Sequence, residues 1–294
     1  MSHTDTFECR AYGKINLSLD VVGRLENGYH LVRMMMQNVG ICDTLQFAKT
    51  DGGIRIRSDR GDLSCGPDNL IYRAIKLMQE EYGITGGADV YLEKRIPIAA
   101  GMAGGSADAA AAFKAMNALY DLGLSGEELR AQGVKLGADI PYCILGGTAL
   151  SEGIGEILTP LSPMPACTIL VAKPDISVST KEVYEKLDSH EIEKHPDVDA
   201  MIKAIRDRKL KETTDLLGNV LEDVTEKMHP VIGQIKRQMC IDGALGSLMS
   251  GSGPTVFGIF DDRECAQKAG ERLKELIPGI NVSVTEPVTP DDGI

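Results

Sequence analysis

A stretch of small residues between positions 97 and 107 is the segment best suited to chemistry. It reads PIAAGMAGGSA, and it joins an alternating, strand-like run at 90–96 to an alanine-rich helical run that reaches about Leu119. Small side chains let backbone N–H groups face outward, and a helix N-terminus adds partial positive charge, so such a loop can hold a polyphosphate. The loop matches neither the GxxxxGKS/T nor the GxGxxG spacing. Taken alone, it fits a tight turn with close helix–strand packing as well as it fits phosphate binding.

A lysine on a strand is the first residue that could act on a bound phosphate. Lys14 lies beside Asn16 on the polar face of an alternating run at 7–21, which predicts a half-buried strand. A solvated sheet face is the simpler explanation for a lone lysine. The late Gly251-Ser252-Gly253 triplet is a second candidate loop, but it is weak evidence alone because such triplets are common in ordinary loops.

An aspartate after a helix is the second candidate. Asp139 follows a helix that we expect to end at Gly137. A carboxylate at a helix C-terminus is disfavoured by the helix dipole, so an acid at this place indicates a functional role. An Asx turn before Pro141 would also account for it.

Composition excludes several classes of partner. The chain has 294 residues, 43% of them hydrophobic and 25% charged, which is typical of an ordinary globular protein. Its 31 basic and 43 acidic residues give a net charge of −12. That field repels nucleic acid and anionic membrane surfaces, so we expect neither as a partner. A small anionic ligand would need a local device such as the small-residue loop.

The cysteines and the N-terminus favour a cytoplasmic protein. The first ten residues contain no apolar stretch, and no long uncharged run escapes interruption by Pro or Gly. We therefore expect neither a secretory signal nor a membrane span. The seven cysteines are scattered without a CxxC pair or zinc spacing, which favours reduced thiols and predicts no metal site made by cysteine and histidine.

Capping signals predict several helices. We expect Asp68 to cap a helix that ends at Gly83, and the helix after the small-residue loop to begin at Ala107. Ser125 and Ser179 each precede a glutamate by three residues, which predicts a capping box at each site.

The chain reads as two domains. Three prolines between positions 160 and 165 mark a linker, and strands and helices are mixed on both sides of it. The sequence therefore predicts an α+β fold with an N-terminal domain over 1–159 and a C-terminal domain over 166–294.

Five segments in the right order resemble the GHMP kinase superfamily, and the likeness covers nearly the whole chain. The segments are Ala11–Leu17, Asn27–His30, Pro97–Ala110, Leu136–Tyr142 and Met249–Thr255. The Asn27–His30 segment resembles the branch that acts on a cytidine diphosphate-linked sugar alcohol in isoprenoid precursor synthesis, rather than mevalonate, homoserine or galactose kinases. Ala99 stands where the family loop usually has glycine, and we expect its methyl group to be tolerated at a negative φ.

This resemblance implies a fold, a reaction and a set of site residues. The expected architecture is a ribosomal-S5-like N-terminal domain and a ferredoxin-like C-terminal domain with the site in the cleft. ATP would phosphorylate the 2-hydroxyl of the sugar alcohol, with Asp139 as general base and Lys14 keeping it charged and steadying the oxyanion. Mg²⁺ is expected as a cofactor, with no ligands assigned. The ATP-binding residues would be Pro97, Ile98, Ala99, Ala100, Gly101, Met102, Ala103, Gly104, Gly105, Ser106 and Ala107, and the substrate-binding residues Asn16, Tyr29, His30, Tyr184, Gly251 and Ser252.

Within the substrate-binding set, the resemblance implies individual roles. The Tyr29 ring would stack on the cytosine base, His30 would bond to its edge, and Tyr184 would cover the opposite face. Packing of Tyr29 against the domain, with His30 as an ordinary loop histidine, is the alternative.

Two other functions remain open at this point. Another GHMP kinase, acting on a different small alcohol, would keep the loop and Asp139 but not Tyr29 and His30. A non-catalytic relative that binds nucleotide would be expected to lack Lys14 or Asp139, and both are present. The sequence allows a monomer or a homodimer.

Overall fold

The computed structural model describes residues 5–189 and 191–289. Residues 1–4, on which the expected lack of a secretory signal partly depends, lie outside these ranges. The strands are β1 Thr6–Arg24, β2 His30–Thr50, β3 Ile54–Ser58, β4 Gly87–Glu93, β5 Thr148–Glu152, β6 Ile157–Pro160, β7 Thr168–Lys173, β8 Gly218–Asn219, β9 Gly246–Met249, β10 Val256–Phe260 and β11 Asn281–Thr285. The helices are α1 Leu70–Tyr82, α2 Gly104–Leu119, α3 Gly126–Gly133, α4 Ile140–Leu145, α5 Thr180–Leu187, α6 Val198–Arg206, α7 Leu210–Asp215, α8 Glu222–Met228, α9 Val231–Ile241 and α10 Arg263–Leu276.

Two sheets organise the described part of the chain. In the first, the strand order is β3-β4-β2-β1-β8, and β5 pairs with β2 and with β6. The second sheet has the order β11-β7-β10-β9. With helices packed on both sheets, the expected α+β class is confirmed.

The chain crosses between the two sheets after the proline-rich segment. Residues 218–219 form β8, which pairs in parallel with Ser18 and Leu19 of β1. Residues beyond 166 therefore complete the first sheet as well as forming the second. This crossing brings the second half of the chain against the polar residues of β1.

The middle of β1, residues 13–21, is buried on both faces, so the expected half-buried strand is wrong in its exposure there. Ile15 and Leu17 are fully buried, as the alternation predicts, but Asn16 and Ser18 are fully buried as well. The cause is tertiary: the β9–β10 loop packs on this face, where a Cβ on Gly251 would lie 3.6 Å from Asn16 Oδ1, and Asn16 N donates to Ser250 Oγ at 3.3 Å. The polar face of β1 is thus an internal surface rather than a solvated one.

The alanine-rich helix α2 packs tightly because its side chains are small. Ala109 and Ala112 are fully buried, and the helix contacts both α1 and β1. Close packing fixes the direction of the helix, and therefore where its N-terminus points.

Three helix boundaries differ from those expected. Asn69, not Asp68, caps α1, because its Oδ1 accepts from Ile71 N at 2.8 Å. α2 begins three residues early, at Gly104. α3 ends at Gly133 rather than Gly137. The C-cap at Gly83, in the left-handed region at φ 64°, and the capping box of Ser125 are confirmed.

No helix within the described ranges combines the length and the apolar character that a membrane crossing needs. The seven cysteines, all within those ranges, are free.

Candidate active site

A cleft of about 1150 Å³ lies where the elements of the two halves meet. It is lined by the β1–β2 turn, the small-residue loop, the start of α2, Asp139, α5 and the β9–β10 loop. Of the expected site residues, only Met102 and Ala107 are not among its lining. Both are buried, at 1% and 2% exposure, so they pack in the core and do not face the cleft.

Lys14 and Asp139 are brought together in this cleft. Lys14 Nζ lies 4.0 Å from Asp139 Oδ2. The ammonium group also donates to Asn16 Oδ1 at 2.8 Å and to the carbonyl oxygen of Gly101 at 3.1 Å. Because the Lys14 side chain is only 5% exposed and makes these two hydrogen bonds, its charge has a fixed position.

Asp139 lies at the beginning of a helix and not after the end of one, so the expected unfavourable helix dipole is wrong. Because α3 ends at Gly133, Asp139 is not at a helix C-terminus; it is the N-cap residue of α4, the end that favours a carboxylate. Within the described structure its side chain makes no capping bond, and 36% of it is exposed. The carboxylate is therefore available to a molecule in the cleft.

The small-residue loop presents the N-terminus of α2 to the cleft. The N-cap residue is Ala103, whose methyl group cannot accept a hydrogen bond from the N–H groups of the first turn. Ala99, Gly101 and Ala103 have φ values of 51°, 70° and 55°. The expectation of a negative φ at Ala99 is therefore wrong: the loop reverses direction through left-handed residues, two of which are alanines. The N–H groups of the first turn of α2, which Ala103 does not cap with its side chain, and the loop together can bind an anion.

The two glycines that open α2 have different roles. A Cβ on Gly104 would lie 3.0 Å from Ile96 Cγ2 and 3.1 Å from Lys94 Nζ. A Cβ on Gly105 would meet nothing nearer than Leu70 Cδ1 at 3.5 Å. A side chain at position 104 would therefore collide with the core, whereas a side chain at position 105 would have open space at the cleft wall.

The β9–β10 loop packs directly on the small-residue loop. Ser250 Oγ donates to the carbonyl oxygen of Gly101 at 3.1 Å, and a Cβ on Gly101 would lie only 2.5 Å from the Ser250 carbonyl oxygen. A Cβ on Gly251 would lie 3.5 Å from Lys14 Nζ. Ser252 Oγ is 2.8 Å from Thr180 Oγ1, the first residue of α5. The weak glycine signal in the sequence thus marks a close approach beside Lys14.

The β1–β2 turn places an aromatic residue and a histidine at the other end of the cleft. Gly28 has a φ of 89°, and Asn27 Oδ1 accepts from Tyr29 N at 3.1 Å. Tyr29 is 58% exposed. The His30 ring is stacked on the Tyr184 ring with 4.6 Å between centroids, so one face of Tyr184 is already covered. Burial, with the charge of Asp139 adding to it, raises the pKa of Tyr184 to about 12.

A buried charge cluster beneath the loop is missing from the sequence-based site. Lys94 Nζ donates to Asp43 Oδ2 and, at 2.6 Å, to Asp108 Oδ2. Asp43 Oδ1 also accepts from the backbone N–H groups of Arg95 and Ile96 at 2.5 and 2.8 Å, whereas Asp108 Oδ1 is buried without a hydrogen-bond partner among the described residues. The sequence signal for this cluster was Asp108, a lone acid in an alanine-rich helix. Asp43 and Lys94 are 51 positions apart, so no local pattern in the sequence reveals their pairing.

The pKa values of this cluster follow from its burial. Burial raises the pKa of Asp108 to about 8; the charge of Lys94 opposes that rise and the charge of Asp43 adds to it. Burial alone would lower the pKa of Lys94, but the two carboxylates outweigh it and the pKa is raised.

The donor set does not form a metal cage. Across residues 5–189 and 191–289, no three His, Cys, Asp or Glu side chains are grouped so that they could hold a metal ion. Mg²⁺ commonly keeps water ligands and is held by one or two carboxylates together with substrate phosphates. The Asp139 carboxylate, 36% exposed in the cleft, is a ligand of the kind that such an arrangement needs.

Comparison with known proteins identifies the family of the chain. Models of the GHMP kinases N terminal domain and the GHMP kinases C terminal domain match residues 69–147 and 201–279. The 4-diphosphocytidyl-2-C-methyl-D-erythritol kinase of Lachnospira eligens is 49% identical, over 97% of this chain and all of that protein. The enzyme of the same name from Clostridium novyi is 46% identical, over 94% and 99% of the two chains.

Solved structures show the same fold. A crystal structure of 4-(cytidine 5'-diphospho)-2C-methyl-D-erythritol kinase superposes with a TM-score of 0.81 at 31% identity, covering 97% of this chain and 100% of that one. Homoserine kinase from Cytophaga hutchinsonii, at 20% identity, superposes with a TM-score of 0.77 over 98% and 96% of the two chains and shares the fold. The chain therefore belongs to the GHMP kinases, ATP-using small-molecule kinases, and within them to the family of the 4-diphosphocytidyl-2-C-methyl-D-erythritol kinases.

Proposed function

We propose that the protein transfers the γ-phosphoryl group of ATP to the 2-hydroxyl of 4-diphosphocytidyl-2-C-methyl-D-erythritol, a step in isoprenoid precursor synthesis. The observation that carries the proposal is the pairing of Lys14 with Asp139 at 4.0 Å in the cleft that also contains the N-terminus of α2. The near full-length identity to enzymes of that name supports the choice of substrate.

Asp139 and Lys14 have complementary roles in this reaction. The Asp139 carboxylate accepts the proton of the 2-hydroxyl as the oxygen attacks the γ-phosphorus and the bond to the leaving ADP oxygen breaks. The Lys14 ammonium group, held by Asn16 and the Gly101 carbonyl, stabilises the charge that develops on the attacking oxygen. Mg²⁺ bound with ATP would neutralise charge on the β- and γ-phosphates.

The nucleotide and the substrate bind on different sides of Lys14 and Asp139. The phosphates lie on the N–H groups of the small-residue loop and of the first turn of α2, with the hydroxyl of Ser106 adding a contact. The cytosine base lies at the β1–β2 turn, where Tyr29 stacks on it and His30 bonds to its edge. Gly251 and Ser252 border the sugar alcohol next to Lys14.

A substrate panel tests the proposal. The purified protein is given Mg²⁺ and ATP with the cytidyl substrate, mevalonate or homoserine, and ADP release is followed. We expect turnover with the cytidyl substrate and none above background with the other two. Turnover of another alcohol would identify a different GHMP kinase, and ATP binding without turnover of any alcohol would identify a nucleotide-binding relative.

A bulky residue at Gly105 should block nucleotide without harming the fold. The Gly105→Val side chain would project into the cleft, where backbone must approach phosphate, so we expect the KM for ATP to rise at least about tenfold. Thermal unfolding should change little. Gly104→Val is the matched control: its side chain meets Ile96 and Lys94, so this variant should lose stability. Equal thermal stability of the two variants would contradict the assignment of Gly104 to packing and of Gly105 to the cleft wall.

Truncation of Tyr29 should weaken binding of the cytidyl substrate alone. Stacking of an aromatic side chain on a base contributes about 1–3 kcal/mol. Tyr29→Ala should therefore raise the KM for this substrate about 5- to 150-fold, and the KM for ATP should not move. Because Tyr29 is 58% exposed, its removal should not disturb the core. An unchanged KM for the cytidyl substrate would remove the stacking role.

A further inference from the structure

We propose that Asp188 is a positioning residue that sets the base preference of the cleft by holding the His30 ring in one tautomer. This inference rests on the proposed function, which places a pyrimidine base beside that ring. Asp188 is absent from the residues singled out in the sequence, and it lies 158 positions from His30.

The contact between the two side chains is short and directed. His30 Nε2 lies 2.7 Å from Asp188 Oδ1, and the other carboxylate oxygen, Oδ2, is paired with Arg24 Nη1 at 3.0 Å. The His30 side chain is only 12% exposed. Both oxygens of Asp188 therefore have a partner, and Oδ1 serves the ring.

Helix α5 fixes the ring from two directions. Tyr184 lies in the last turns of this helix and Asp188 is its C-cap residue, with helical backbone angles, so the two side chains, four residues apart, lie on the same face. Tyr184 stacks on the plane of the His30 ring, and Asp188 bonds to its edge. A stacked plane and one edge bond leave the ring a single orientation.

The edge bond determines what the other ring nitrogen can do. An ionised carboxylate can only accept hydrogen bonds, so Nε2 of His30 carries the proton and donates. In the neutral imidazole, Nδ1 is then an acceptor. The pair thus presents an acceptor toward a molecule bound at this ring.

An acceptor distinguishes the two common pyrimidines. Cytosine carries an exocyclic amino group, which donates, where uracil carries a carbonyl oxygen, which accepts. Nδ1 of His30 can bond to the amino group, whereas opposite uracil two acceptors would face each other. The geometry therefore selects a cytidine diphosphate-linked substrate over its uridine counterpart.

Asp188→Asn tests this assignment while keeping the shape of the side chain. A carboxamide offers one acceptor and one donor, so it supports either tautomer of His30. We expect the unaltered enzyme to prefer the cytidine form by about 10- to 100-fold in kcat/KM, and the variant to lose at least about fivefold of that ratio. The kcat with the cytidine form should stay within about twofold. Glu182→Gln, which removes a charge from the same helix outside the cleft, should leave the ratio unchanged.

A double variant shows whether Asp188 acts through the ring. If it does, Asp188→Asn should change the ratio no further once His30→Ala is present. Independent effects of the two changes, a preference retained in Asp188→Asn, or a uridine preference in the unaltered enzyme would each overturn the inference. If the unaltered enzyme phosphorylates neither pyrimidine form, the proposed function itself fails, which is a separate result.

Discussion

Asp139→Asn should lower kcat by about 10²- to 10⁴-fold and leave the KM for ATP nearly unchanged. An amide of the same size cannot accept the proton of the attacking hydroxyl, and loss of a general base typically has an effect of this size. The side chain is 36% exposed and makes no capping bond within the described structure, so the fold should not depend on it. Steady-state kinetics with the cytidyl substrate, alongside thermal unfolding, measures both consequences.

The matching change at Lys14 tests whether the two residues act as one unit. Lys14→Ala should reduce kcat to a similar extent, and the double variant should be little slower than either single variant. Additive losses would mean that the 4.0 Å pair does not work together in the reaction. Retention of more than about a tenth of normal turnover in Asp139→Asn would reduce that residue to a structural one.

Local signals in the sequence predicted the parts of the site that lie on contiguous segments. The small-residue loop, the Asn27–His30 turn and the late glycine loop all lie in the cleft, because each needs only its own short segment to form. The α+β class followed in the same way from capping and alternation. The cap at Asn69 rather than Asp68 shows the limit of these signals, because either residue type can cap a helix.

The features of the site that the sequence did not predict depend on contacts between distant segments. The burial of Asn16 depends on the Ser250 loop, 234 positions away, and the His30 ring is held by α5. The expected dipole argument for Asp139 failed because it depended on where a helix ended, which is the least certain feature of such a prediction. The positive φ of Ala99 follows from a loop held on both sides, a constraint that no run of side chains reveals.

Lys94→Met should destabilise the protein by about 3–5 kcal/mol, because it removes the cation from between the buried side chains of Asp43 and Asp108. The side chains of Lys94, Asp43 and Asp108 are 3%, 0% and 6% exposed, so water cannot reach the two acids to solvate them once the ammonium group is gone. Urea unfolding followed by circular dichroism gives the free energy of unfolding. Lys135→Met is the matched control: its pair with Glu81 is exposed, and its loss should cost about 1 kcal/mol or less.

A second substitution separates lost charge from lost packing. Asp108→Asn added to Lys94→Met leaves a single buried carboxylate, Asp43, which retains its two backbone N–H donors. The double variant should therefore recover at least about 1 kcal/mol of the free energy of unfolding, because without Lys94 the buried Asp108 carboxyl must either stay charged or take up a proton, and an amide does neither. If Asp108→Asn gives no recovery in this background, the deficit of Lys94→Met comes from packing.

The pH dependence of the unaltered protein provides an independent measure of the same cluster. The pKa of Asp108 is raised from 3.8 to about 8 by burial, so the folded state binds one more proton than the unfolded state between these values. A raised carboxyl pKa gives stability that is complete at low pH and is lost as pH rises through the folded value. The contribution of Asp108 to the free energy of unfolding should thus fall from about pH 4 to pH 8. Asp108→Asn should remove that slope, and an identical pH profile in the two proteins would show that Asp108 is ionised in the folded state throughout.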